Sequence, residues 1–139
     1  MTATPTRSEQ GGNPSVLRLD LEPTPEAPSV ARAAITGFCE QLESARPVLS
    51  TLVLLVSEVV TNAVVHPHLK EPAEIRFCAR VANHGIRVEV TDRGNGFTPR
   101  PRDPSQAGGG YGLYLLSKAA SRWGVDRRNG TTVWFAVAT

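Results

Sequence analysis

The sequence predicts an α+β protein of one domain. Three observations favour this class: a segment of alternating apolar residues before two long helical patterns, two later pairs of alternating segments joined by turns, and a glycine-led helix between those pairs. With 139 residues, of which 40% are hydrophobic, the chain can bury a substantial core as a single domain. We expect a disordered leader at 1–14 and a folded domain at 15–139.

Composition and charge narrow the class of protein. The formal net charge is +2 and the basic residues are scattered, which argues against nucleic acid as a partner. No apolar run approaches the length of a membrane span, and residues 1–14 lack the apolar core of a signal peptide. Cys39 and Cys78 lack metal-ligand spacing and are predicted to be reduced core thiols, although the sequence alone also allows a disulfide. We therefore expect a soluble, cytoplasmic protein.

The first half of the domain is predicted to contain one strand and two helices. Alternating leucines predict a half-buried strand over Ser15–Leu21, and the proline-rich segment that follows favours an edge position. Apolar residues at i, i+4 spacing predict a helix over Ser29–Ser44. The chain then breaks at Pro47, and a second, more apolar helix is predicted over Val48–Val65, ended by Pro67.

The second half is predicted to contain two hairpins. Alternation predicts strands over Glu74–Val81 and Ile86–Val90, and again over Trp123–Arg127 and Thr131–Val137. Turns that contain asparagine and glycine join the strands within each pair. A third helix is predicted between the hairpins, over Leu113–Ser121.

A polar stripe interrupts the second helix. Glu58, Asn62 and His66 recur every four residues and therefore lie along one helix face. A carboxylate or an amide without a partner in apolar surroundings costs roughly 1–3 kcal/mol. From this helix alone two interpretations are equal: a capped or solvent-facing stripe, and a functional site. We expect His66, like the other two histidines, to be structural or on the surface.

Two polar residues are in phase with the apolar positions of their strands. Asp92 continues the pattern of Ile86, Val88 and Val90, and Thr131 begins the apolar pattern of the last strand. Each would place a polar side chain on the core side near a strand end. Simpler interpretations are that the strand stops at Val90, and that the threonine hydroxyl binds nearby backbone. A buried Asp92 would need a hydrogen-bond donor, which a ligand could supply.

Two glycine clusters flank a loop without periodicity. Gly94 and Gly96 follow the predicted strand end directly, and Gly108–Gly112 lead into the third helix. Backbone N–H groups and the positive dipole at such a helix start can bind an anion, although many glycine-rich loops are only flexible. Neither cluster completes a Walker or a dinucleotide-binding motif, so we expect a different class of phosphate site.

The order of these motifs resembles that of a known family. The segments SEVVTNAVVH (57–66), TDRGNGF (91–97), GGGYGL (108–113) and GTTVWF (130–135) resemble the GHKL ATP-binding fold and, within it, the bacterial anti-sigma-factor serine/threonine kinases. The resemblance covers about residue 16 to the C-terminus. It implies the histidine-kinase-like ATPase architecture, a two-layer α/β sandwich whose mixed, mostly antiparallel sheet is covered on one face by about three helices.

The resemblance also implies ATP and Mg²⁺ as cofactors and a role for each motif. Asn62 would bind Mg²⁺ through its side-chain oxygen, and Glu58 would be the general base. Asp92 would accept a hydrogen bond from the adenine amino group, assisted by Thr131. A lid over the phosphates would be formed by Phe97–Ala107. Further nucleotide contacts are implied at both glycine clusters and the helix start: Gly94, Gly96, Gly108, Gly110, Gly112 and Leu113.

The cellular role that the resemblance implies is regulation of transcription. Such proteins hold an alternative sigma factor inactive and phosphorylate a serine or threonine of a small anti-anti-sigma partner of the STAS type. Unphosphorylated partner competes for the same protein and releases the sigma factor. Many act as dimers, so a homodimer is an option for this chain.

One departure from the family pattern keeps a second hypothesis open. Kinase members often carry a basic residue just before the phosphate-loop glycines, where this chain has Gln106, Ala107 and Gly108. Arg100 or Arg102 in the lid could substitute for it. The alternative is a catalytically weak module that binds partners in an ATP-dependent way. A fragment of a histidine kinase or topoisomerase is less favoured, because this length leaves no room for their further domains.

Overall fold

A computed structural model describes residues 6–7, 15–65, 74–92, 112–128 and 130–139. Within these ranges the chain forms six strands, three α-helices and one 3₁₀ helix. The strands are β1 (Thr6–Arg7), β2 (Val16–Leu21), β3 (Ile75–Ala82), β4 (Gly85–Asp92), β5 (Arg122–Asp126) and β6 (Thr131–Ala138). The helices are α1 (Ala27–Glu40), α2 (Leu49–Val65) and α3 (Gly112–Ala119), and the 3₁₀ helix (Glu43–Val48) lies between the first two. The predicted α+β class is confirmed.

The described strands form one sheet in the order β1-β2-β3-β4-β6-β5. Every pairing among them is antiparallel. The two predicted hairpins, β3–β4 and β5–β6, are therefore confirmed, and β4 and β6 join them into a continuous sheet. This arrangement brings the C-terminal end of β4 beside the first residue of β6.

All three described α-helices pack on the same face of the sheet. Helix α1 contacts β2, α2 contacts β4 and β6, and α3 contacts β5. Alternate residues of the strands point to this face, because successive side chains of a strand point to opposite sides. The core between the two layers is formed on the sheet side by Leu17, Leu19, Leu21, Ile75, Phe77, Ala79, Ile86, Val88, Val90, Val133, Phe135 and Val137. The predicted two-layer architecture is confirmed.

The first helix is shorter than predicted and begins earlier. It starts at Ala27, with proline in its first turn, where the missing N–H breaks no helical hydrogen bond. It ends at Glu40 rather than Ser44, because Leu42 is extended (φ −127°, ψ 101°). Tertiary packing accounts for the early end: Ala45, in the 3₁₀ helix that follows, is completely buried in the core.

The N-terminal end of the sheet also differs from expectation. Thr6–Arg7 pair with Leu17 and Arg18 of β2, so β2 lies between β1 and β3 and the predicted edge position is wrong. An open edge presents unpaired N–H and C=O groups, which the chain's own N-terminal segment satisfies here. The remainder of the leader expected to be disordered, 1–5 and 8–14, lies outside the described residues.

The β3–β4 hairpin has a two-residue turn with an unusual backbone. Asn83 and His84 both have positive φ, 47° and 64°, as type I′ turns require. The predicted turn glycine, Gly85, is instead the first residue of β4. A methyl group there would lie 2.7 Å from the carbonyl oxygen of Val137, so glycine is required by close backbone approach.

Helix α2 is the most apolar element of the described chain. By length and composition alone, residues 43–64 are apolar enough to cross a membrane, so the expectation that no apolar run approaches the length of a span is wrong. In the fold this helix packs against α1, α3 and the sheet. Its inward side chains belong to the core: Leu52, Leu55, Val56, Val59, Val60 and Ala63. Its apolar character is thus accounted for by its central position.

Candidate functional site

The site is built first from a cross-strand pair at one end of the sheet. Strand β4 continues to Asp92, which lies opposite Thr131 of β6 and Ile75 of β3. Asp92 is 3% exposed and Thr131 5%, and among the described residues they are the buried polar or charged side chains. The interpretation in which the strand stops at Val90 is therefore wrong, because Asp92 is a paired strand residue on the core side.

A second polar pair lies beside the first, on the opposite face of the sheet. The hydroxyl oxygens of Thr91 and Thr132 are 2.8 Å apart, within hydrogen-bonding distance. These two residues are directly opposite each other in the β4–β6 register, as Asp92 and Thr131 are. The hydroxyl pair ties the strand ends together and holds Asp92 and Thr131 in register.

Glu58 and Asn62 of the polar stripe belong to α2, which packs on the same face of the sheet as Asp92. Glu58 and Asn62 are one helical turn apart and half-buried. The positions next to them, Val59 and Ala63, are buried in the core. Because α2 packs on β4 and β6, the helix with the stripe covers the two strands that carry Asp92 and Thr131.

One neighbour of this stripe was not singled out from the sequence. Nη1 of Arg32 in α1 donates a hydrogen bond of 2.9 Å to Oγ of Ser57 in α2. The bond fixes α1 against α2 at the residue before Glu58. Its only sequence signal is that Arg32 is the one charged residue within the apolar pattern SVARAAITGF (29–38), and that pattern does not identify the partner.

The donor set of these residues suits a hard cation and a nucleotide base. Asn62 and Glu58 offer amide and carboxylate oxygens, and Mg²⁺ commonly takes one or two protein oxygens and completes its shell with water and phosphate oxygens. Within the described ranges no three His, Cys, Asp or Glu side chains come together as a metal site. The Oδ2 atom of Asp92 is fully buried, and a carboxylate oxygen accepts hydrogen bonds from donors such as an amino group.

Two of the remaining predicted site residues begin helix α3, and the others lie outside the described residues. Gly112 is the first residue of α3 and Leu113 the second, and α3 packs against α2. The predicted helix start after the second glycine cluster is therefore confirmed. Outside the described residues lie His66, the lid at 97–107 and the other glycines, which are Gly94, Gly96, Gly108 and Gly110. Their roles stay predictions.

Comparison with known families gives a match over most of the chain. The family model described as the histidine kinase-like ATPase domain matches residues 21–137. The match includes both pairs of residues described above, Glu58 with Asn62 and Asp92 with Thr131.

Several curated relatives carry regulatory names. The chain is 34% identical over 83 residues to an anti-sigma F factor of Pasteuria penetrans, covering 57% of this chain and 55% of the relative. It is 30% identical over 71 residues to an anti-sigma F factor of Clostridium acetobutylicum, covering 51% and 50%. A serine-protein kinase, RsbW, of Oceanobacillus iheyensis is 24% identical over 134 residues, covering 87% and 85%. The chain thus spans about half the length of these two anti-sigma F factors.

A solved structure has the same fold. The crystal structure of the RsbU and RsbW domains of a Mycobacterium tuberculosis protein matches with a TM-score of 0.68 and 22% identity. The match covers 88% of this chain and 32% of the larger one. At this identity the likeness supports the two-layer architecture and no more.

Proposed function

The chain belongs to the histidine kinase-like ATPase domain family, and from this premise we propose that it is an ATP-dependent protein serine/threonine kinase that acts as an anti-sigma factor. One observation carries the proposal. Glu58 and Asn62 are one turn apart on α2, and α2 packs on the two strands that end in the buried Asp92–Thr131 pair. The residues proposed to face the phosphates and the pair proposed to face the base therefore belong to elements that pack together.

Asp92 and Thr131 form the adenine end of the proposed site. A buried carboxylate that accepts a hydrogen bond from an amino group selects a base that carries one, and rejects a base with a carbonyl oxygen at the same position. The burial of both side chains excludes competing water. ATP is the nucleotide that membership of an ATPase-domain family implies.

Asn62 and Glu58 form the phosphate end. The Asn62 amide oxygen would hold Mg²⁺, which when bound neutralises the charge that develops on the transferred phosphoryl group. Glu58, half-buried one turn earlier, would accept the proton of the substrate hydroxyl as that oxygen attacks phosphorus. The glycine-led start of α3 at Gly112 would bind phosphate oxygens through backbone N–H groups.

The proposed partners are a sigma factor and a STAS-type anti-anti-sigma protein. Support comes from relatives named anti-sigma F factor and from one named serine-protein kinase. The chain would hold the sigma factor inactive and would phosphorylate a serine or threonine of the STAS protein. A homodimer is part of the same proposal. A cytoplasmic location and a role in transcription regulation are part of the same proposal.

A second candidate is supported by one observation in the sequence. Gln106 and Ala107 precede Gly108, where kinases of the family often carry a basic residue that can contact the terminal phosphate. Without that charge, transfer would be slow while nucleotide-dependent partner binding persisted. The chain would then be a catalytically weak binding module with the same fold.

Transfer of radiolabelled phosphate from ATP to a purified STAS-type anti-anti-sigma protein of the same organism separates the two candidates. We expect wild type to transfer label and Glu58→Gln to lower kcat by roughly 10²–10⁴-fold, the usual contribution of a general base. The affinity for Mg-ATP, measured by calorimetry, should stay within about twofold, because the proposed role of Glu58 is to accept the proton of the substrate hydroxyl and not to bind the nucleotide.

The matched control is Glu40→Gln. Glu40 is the exposed last residue of α1, so the same change in charge should leave transfer unaltered. Wild-type protein that binds the STAS protein tightly but transfers no label would favour the binding module. Equal transfer by wild type and Glu58→Gln would contradict the role of Glu58 as the base.

A further inference from the structure

Helix α2 carries an exposed leucine in line with its polar stripe. Leu54 precedes Glu58 by four residues, so it lies one turn earlier on the same helix face. Its side chain is 45% exposed, whereas the next two residues, Leu55 and Val56, are completely buried. An apolar side chain directed at solvent from the most central helix of the fold has no structural role in the core.

The order of residues along α2 indicates on which side of the proposed site Leu54 lies. With a rise of about 1.5 Å per residue, Glu58 lies about 6 Å along the axis from Leu54, and Asn62 about 12 Å. In the proposed reaction Asn62 is on the phosphate side and Glu58 receives the proton of the acceptor hydroxyl. The acceptor hydroxyl must reach both the terminal phosphate and the Glu58 carboxylate, so the polypeptide that carries it lies beside Glu58. The side of Glu58 away from Asn62 is therefore the side from which the substrate protein approaches.

From this order we propose that Leu54 is a docking contact for the protein substrate and receives an apolar side chain adjacent to the acceptor serine or threonine. The inference rests on the proposed kinase function and adds a specificity-determining residue to it. Leu54 touches neither the nucleotide nor the transferred phosphate, so it is a positioning residue rather than a catalytic one.

The surroundings of Leu54 favour contact with another polypeptide. The neighbouring outward positions of α2 are small hydroxyl residues, Ser50, Ser57 and Thr61. Short side chains at these positions let a backbone segment approach the exposed leucine closely. The nearest charged groups of the two helices are Glu58, one turn along α2, and Arg32, whose guanidinium is bonded to Ser57, so the leucine supplies the apolar part of the contact.

The test compares Leu54→Asp with Leu54→Met in the transfer assay with the same STAS protein. For Leu54→Asp we expect KM for the STAS protein to rise about tenfold or more, with kcat within about twofold of wild type, because a contact equal in ground and transition states affects KM alone. Leu54→Met keeps an apolar side chain of similar volume and should retain the wild-type KM. The affinity for Mg-ATP should not change in either variant.

Val81→Asp is the matched control. Val81 is 41% exposed but lies near the β3–β4 turn, so the same charge at similar exposure should leave KM unchanged. Equal KM for wild type and Leu54→Asp, or an equal rise in both aspartate variants, would overturn the inference. A change in oligomeric state of Leu54→Asp without a change in KM, measured by sedimentation, would also overturn it by assigning the leucine to a contact between copies of this chain.

Failure of the kinase proposal can be distinguished from failure of the docking inference by measuring binding instead of transfer. If wild type transfers no phosphate, the dissociation constant for the STAS protein in the presence of Mg-ATP replaces KM as the measurement. Weaker binding by Leu54→Asp and wild-type binding by Leu54→Met and Val81→Asp would then support the docking contact while the kinase activity fails. If wild type also does not bind the STAS protein, the docking inference is overturned together with the partner assignment.

Discussion

Asp92 is the residue whose placement most constrains what the site binds. Its side chain is almost fully buried at the end of β4, opposite Thr131. A buried carboxylate is costly unless donors compensate for its lost hydration. In the proposed site, its carboxylate would accept a hydrogen bond from the adenine amino group.

We expect Asp92→Asn to weaken Mg-ATP binding by at least about tenfold, because a hydrogen bond to a charged group contributes about 1.5–3 kcal/mol. Asparagine has nearly the same shape, so the fold should be preserved, which circular dichroism would show. Asp20→Asn, at an exposed position of β2, is the control. Equal affinity of wild type and Asp92→Asn in calorimetry would rule out the adenine assignment.

At the scale of single elements, two glycines have opposite roles. Gly85 begins β4, where any side chain would collide with the backbone of β6 at Val137. Gly37 is inside α1, where a methyl group would meet no atom within 4 Å. The first glycine permits close approach of two strands. The second only increases the freedom of the unfolded chain.

We expect alanine at these two positions to change stability in opposite directions. Gly85→Ala should lower the free energy of unfolding by roughly 1–3 kcal/mol, because a backbone carbonyl cannot move aside as a flexible side chain can. Gly37→Ala should raise it by roughly 0.5–1 kcal/mol through helix propensity. Urea unfolding measures both. A stabilising effect of Gly85→Ala would contradict the packing of β4 against β6 described here.

At the scale of the whole molecule, the helical layer and the sheet together exclude water from the inner face of α1. Cys39, on the inner face of α1, is completely buried, and Cys78 is half-buried on β3. Both are free thiols, as predicted. The prediction that Cys78 is a core residue is wrong, because it alternates with the core residues Phe77 and Ala79 and therefore lies on the other face of the sheet. Burial raises the pKa of the Cys39 thiol from 9.0 to about 11, because ionisation in an apolar layer is unfavourable.

This raised pKa makes stability depend on pH in the alkaline range. The folded state retains the Cys39 proton at pH values where the unfolded chain has lost it, so the stabilisation is present below pH 9 and is lost as pH rises towards about 11. We expect the free energy of unfolding to fall more steeply over this interval in wild type than in Cys39→Ala. Parallel pH profiles of the two proteins in denaturant titrations would contradict the buried position.

The sequence alone determined the features that depend on local periodicity. Alternation predicted the strands from Ser15 onwards, and 3.6-residue spacing predicted the helices. The alternation in β4 also placed Asp92 on the core side. Each of these predictions depends only on residues that are close together in the chain. The turn at Asn83 was also predicted, whereas the close approach of β6 to Gly85 was not.

Tertiary structure decided the contacts between residues distant in the chain. The opposition of Asp92 and Thr131, the Arg32–Ser57 hydrogen bond and the covering of β2 by β1 depend on which elements pair and pack. Periodicity identifies the face of an element but not the element it meets, because many partners bury similar apolar area. The early end of α1 has the same cause, since burial of Ala45 outweighs the propensity to continue the helix.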